Sequence, residues 1–78
     1  MRYFNGKEAR VGDLIALTVG GPKGVIVADL ERRVFTPECP ENEWGYLRNG
    51  LLVHMEGSQI VLINELDEDA YLIKRKCG

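Results

Sequence analysis

Glycine and proline cut this chain into short apolar segments, none long enough for an amphipathic helix. Leu14-Ile15-Ala16-Leu17, Val25 to Leu30, Leu51-Leu52-Val53-His54-Met55, Ser58 to Ile63 and Ala70 to Lys74 read as strands, rich in β-branched and large apolar residues. Val34-Phe35 resumes the pattern after the polar Glu31-Arg32-Arg33. Asn5-Gly6 suits a type I′ hairpin turn, and Glu56-Gly57 joins two apolar runs as a tight hairpin. Gly20-Gly21-Pro22-Lys23-Gly24 is too rich in breakers to be other than a loop.

The stretch from Thr36 to Leu47 differs. Pro37 and Pro40 forbid a central strand. Pro40 to Leu47 reads as one or two helical turns, with Pro40 first and Glu41 and Glu43 near the positive end of the helix dipole. Asn49-Gly50 is expected to stop it. Trp44 is expected to bury its ring against Leu51 or Val53.

Five to six short strands and one helical turn near 40–47 predict a mostly β, single domain over residues 1–78. A small SH3-like antiparallel barrel is the leading expectation, because closure removes exposed strand edges. The alternative is an open sheet carrying the proline segment across one face. With 45% hydrophobic residues the chain has enough apolar content to fold without a metal or disulfide framework.

Residues 38 to 69 carry eight acids (Glu38, Glu41, Glu43, Glu56, Glu65, Asp67, Glu68, Asp69) against one base, Arg48. A phosphate backbone is repelled by such a segment, whereas a basic protein is attracted. Cys39 and Cys77 stand apart with no CxxC spacing or nearby His, so no zinc site, no other metal and no cofactor is expected. Cys39 reads as a half-buried free thiol. The start of the chain lacks a signal-peptide pattern and no apolar run spans a bilayer, which gives a cytoplasmic expectation with no membrane partner.

The run Asn5 to Ile15, followed by Lys23-Gly24-Val25-Ile26-Val27, resembles the opening of SH3-like and KOW-type small barrels. Phe35 to Leu47, then Gly50-Leu51-Leu52-Val53 and the late Asp67-Glu68-Asp69, resemble a group of small uncharacterised bacterial proteins found beside polymorphic toxins. Cys39 departs from that group, which has an aromatic residue there. The resemblance implies an immunity or accessory role: occlusion of a cognate toxin by a rigid, charge-complementary surface.

The expected function is therefore non-enzymatic protein binding. Trp44, Tyr46, Glu41, Glu43, Asp67, Glu68 and Asp69 are the interface candidates, since aromatic side chains dominate binding hot spots and acidic loops steer basic partners. Self-association is compatible with the apolar content. A second reading is a KOW-type RNA- or ribosome-associated barrel using Arg2, Lys7, Arg10, Lys23, Arg32 and Arg33, provided that those side chains converge. A third, hydrolase-like reading needs His54 in a pocket beside a carboxylate or Cys39.

Overall fold

The structure, a computed structural model, describes residues 2–4, 6–66 and 68–75. Its core element is one antiparallel sheet of five strands: β1 (Leu14–Ala16), β2 (Lys23–Asp29), β3 (Leu51–Met55), β4 (Gln59–Ile63) and β5 (Tyr71–Lys74). Among the described residues a single four-residue helix, α1 (Glu41–Trp44), lies between β2 and β3. The strand order is β4-β3-β2-β1-β5, so β1 to β4 form a meander and β5 returns to pair with β1. The sheet is not closed; β4 and β5 are its edges. This is the open-sheet arrangement, with residues 30–50 folded over one face.

Alternation along β3 separates two apolar clusters, because neighbouring strand residues point to opposite faces. Leu51, Val53 and Met55 join Ile15, Ile26 and Ile63 on one face, covered by Tyr3, Ala9 and the partly buried Val11 and Leu66. Leu52 points the other way, to Val27, Ala28, Leu30 and Cys39, with Phe35, Trp44 and Leu47 packed against them. Trp44 thus packs on the Leu52 side of β3 and not against Leu51 or Val53. Cys39 is fully buried, not half-buried.

β2 serves both clusters through a bulge. Ile26 pairs with Val53 and Ala28 with Leu52, which leaves Val27 as the extra residue. Val27 and Ala28 can then both face the second cluster, and the Thr36 hydroxyl donates to the Val27 carbonyl at 2.6 Å. The crossing segment is thereby fastened to the bulge by a hydrogen bond as well as by packing.

Two glycines are fixed by space. Gly24 lies inside β2, not in the preceding loop: a Cβ there would fall 2.6 Å from both Met55 Sδ and Val53 Cγ1. It marks close packing rather than a break. Gly50 has φ +102 and would place a Cβ 2.6 Å from the Ile63 carbonyl oxygen. It admits the chain to β3 rather than ending the helix, which stops at Trp44 with Gly45 as its C-cap. Pro40 is the N-cap, one position ahead of the expected place.

The hairpin joining β3 and β4 stands where Glu56-Gly57 predicts it, with Met55 paired to Gln59. Near the start of the chain, Arg2 bridges to Glu8 and the Tyr3 N–H donates to the Lys7 carbonyl at 2.8 Å. Gly6 has the positive φ expected of the second turn residue, while Asn5 lies outside the described residues. No helix among the described residues is long and apolar enough to cross a membrane.

Candidate functional site

The interface candidates fall into two places. Glu41, Glu43, Trp44 and Tyr46 belong to α1 and the turn that follows it. Glu68 and Asp69 are exposed in the turn before β5, and Asp67 lies outside the described residues. Trp44 is partly buried in the second cluster, whereas Tyr46 stays 74% exposed.

Arg33 holds the α1 segment in place. Its guanidinium donates to the carbonyls of Leu47 and Gly45, both at 2.9 Å, and to the Glu41 carboxylate at 3.3 Å. It also lies 5.1 Å from the centre of the Phe35 ring. Carbonyls at the end of a short helix have no partner within the helix, so a planar donor fork suits them. Arg33 adopts φ +60, a left-handed conformation that costs a non-glycine residue about 1–3 kcal/mol. These contacts, with Trp44 packed behind, fix a loop that holds Tyr46 and Glu43 in solvent.

A second polar centre was invisible to sequence reasoning. Asp13 is fully buried, yet its carboxylate accepts four hydrogen bonds. Tyr3 Oη donates at 2.6 Å, the Arg10 N–H at 3.0 Å, and Arg75 Nε and Nη2 at 2.9 and 3.1 Å. Arg75 Nη2 also donates to the Glu8 carbonyl at 2.7 Å. Burial alone would raise the Asp13 pKa; the hydrogen bonds from Arg75, Tyr3 and Arg10 outweigh it and hold the carboxyl below its usual range. Burial, followed by the hydrogen bond to Asp13, pushes the Tyr3 phenol well above its ordinary value. Every buried side-chain nitrogen and oxygen among the described residues has a partner. The cluster is therefore a satisfied structural tie, joining residues far apart in sequence at the start of β1.

Two of the basic residues of the RNA-type reading are engaged within the protein. Arg32 pairs with Glu8 and lies 3.8 Å from Asp29, while Arg33 is committed to the α1 segment. Arg10 and Arg32 share a shallow hollow with Asp29, whereas Lys23 borders a different hollow near His54. Arg2 bridges to the same Glu8 that Arg32 pairs with, so Arg2, Arg10 and Arg32 lie near one another, and Lys23 lies apart from the hollow that Arg10 and Arg32 border.

His54 does meet a carboxylate: Nδ1 lies 2.6 Å from Glu38 Oε2. The imidazole borders a hollow of about 330 Å³ with Leu14, Lys23, Val25 and Glu56. Cys39, next to Glu38 in sequence, is buried in the second cluster. Burial, then the charges of Glu38 and Glu43, push its thiol up, which disfavours the thiolate nucleophile. The His54–Glu38 contact bridges β3 and the crossing segment.

The sheet edges differ in kind. β4 is uncharged from Gln59 to Ile63, and Ile60 and Leu62 are each more than a third exposed. β5 pairs with β1 through a register shift and carries Lys74. A bulge and an edge lysine both discourage further pairing. No protein-family model, curated protein or solved structure matches the chain.

Proposed function

We propose that this chain is a non-enzymatic protein-binding module that presents the α1 segment to a basic partner. The observation that carries the reading is Tyr46: a large aromatic side chain left 74% exposed on a loop held by Arg33 and Trp44. Preorganisation matters because ordering a loop on binding costs affinity. Exposed Glu43 on α1, together with Glu41, which is shared with Arg33, precedes the aromatic residue, and this acidic character suits a cationic surface. Aromatic anchors within a charged rim are the usual makeup of a hot spot.

Within this reading the open sheet is a variant of the SH3-like barrel that does not close between β4 and β5, with the β2 bulge as the place where such a sheet would bend. The specific role we propose is that of an immunity or accessory protein occluding a cognate toxin. It rests on the resemblance of the 35–53 segment to small bacterial proteins found beside toxins.

The test is calorimetric titration with the product of the reading frame adjacent in the genome. Binding is expected, and Tyr46→Ala should weaken it about 30-fold, the loss of an anchor worth about 2 kcal/mol. Glu43→Lys should slow association and reduce its salt dependence. Binding unchanged in both variants would remove the α1 segment from the interface.

A further inference from the structure

A hollow of about 150 Å³ opens beside the last strand, lined by Tyr3, Phe4, Glu68, Ala70 and Tyr71. Phe4 is 76% exposed and Tyr71 42% exposed, while Ala70 is buried. Phe4 follows the buried Tyr3, whose hydroxyl is already committed to Asp13. Two partly or largely exposed aromatic residues therefore line a small hollow, with the exposed acidic residue Glu68 beside them.

We infer that this hollow is a receptor for a guanidinium group, an arginine side chain of the basic partner proposed above. Three chemical constraints select that class. An anion would meet the charge of Glu68, with exposed Asp69 next to it. An uncharged apolar group would cover the rings but draw water from Glu68 without replacing its hydrogen bonds. A guanidinium satisfies both surfaces: its weakly hydrated plane stacks on aromatic faces, and its donor fork matches a carboxylate. An ammonium has the charge but is more strongly hydrated and lacks the plane. The protein's own nearby guanidinium, Arg75, is bound to Asp13 and the Glu8 carbonyl, so its charge is already matched.

This inference rests on the protein-binding reading only for the owner of the arginine. Its test uses a small probe, so the two can fail separately. The full chain, labelled with ¹⁵N, is titrated with N-acetyl-arginine amide and, in parallel, with N-acetyl-citrulline amide, its neutral near-isostere. Saturable amide shifts are expected at residues 3, 4, 68, 70 and 71 with the arginine probe and not with citrulline. Glu68→Gln and Phe4→Ala, both at exposed positions, should each weaken binding by about threefold or more. Equal binding of citrulline, or arginine shifts unaffected by both variants, would overturn the assignment. Arginine binding here without capture of any basic protein would support the assignment and count against the preceding reading alone.

Discussion

Replacing Tyr3 with phenylalanine removes one oxygen from the cluster around Asp13 and leaves the ring in the first apolar cluster. The lost bond is the shortest the carboxylate receives, at 2.6 Å, and both ends are buried. A hydrogen bond to a charged group contributes about 1.5–3 kcal/mol. Asp13 Oδ2 retains the Arg10 N–H and Arg75 Nη2, which favours the lower part of that range. The expected loss at neutral pH is about 2 kcal/mol, against a total of about 4–12 kcal/mol for a chain this size. The corresponding fall in Tm is about 8–16 °C. The pH dependence has a definite sign. The native carboxyl is held below its unfolded value of about 3.9, so its contribution is present above that pH and fades as pH falls through the lower native value. The phenol is held above its unfolded value of about 10, so its contribution is present below that pH and fades as pH rises beyond it. The gap between wild type and variant should be a plateau across neutral pH that narrows at both extremes. Urea unfolding monitored by circular dichroism at a series of pH values measures it. A gap under about 0.5 kcal/mol at pH 7, or one that widens as pH falls below the ordinary carboxylate range, would refute the reasoning.

Three further outcomes are expected. In a Cys77→Ser background, Cys39 should resist a disulfide reagent in the folded protein and react fully in denaturant; rapid native labelling would contradict its burial. Glu38→Gln should cost less than about 1 kcal/mol in urea unfolding, because the His54 contact is partly solvent-exposed; a larger loss would make it a principal fastening of the crossing segment. Arg33→Met should keep the sheet but loosen α1, read as faster amide exchange at Glu43 to Leu47; unchanged protection would show that Trp44 packing alone holds the loop.

The β3–β4 hairpin was readable because both strands and their turn are contiguous, and each residue choice agrees with the others. The proline segment was readable as non-strand for the same local reason. Gly24 misled because an isolated glycine carries two meanings. Only the positions of Met55 and Val53 show that it marks close packing rather than a turn. The face met by Trp44 required the strand register, since Leu52 and its two neighbours differ only in the parity of their positions. The Tyr3–Asp13–Arg75 cluster lay beyond local reading altogether: Asp13 and Arg75 are 62 positions apart, and nothing in the composition around either announces the other. For the α1 segment, the exposed aromatic and its acids could be named from sequence. The arginine that organises them stood instead among the basic residues of a rival reading.

The unequal edges of the sheet bear on how copies of this chain behave when crowded. A neighbour that docks along Gln59–Ile63 about a two-fold axis would consume the one edge, among the described residues, free of a bulge and a lysine. Both members of such a pair would then present only their blunted sides outward. Such pairing would leave no second edge of the same kind for a third chain to extend.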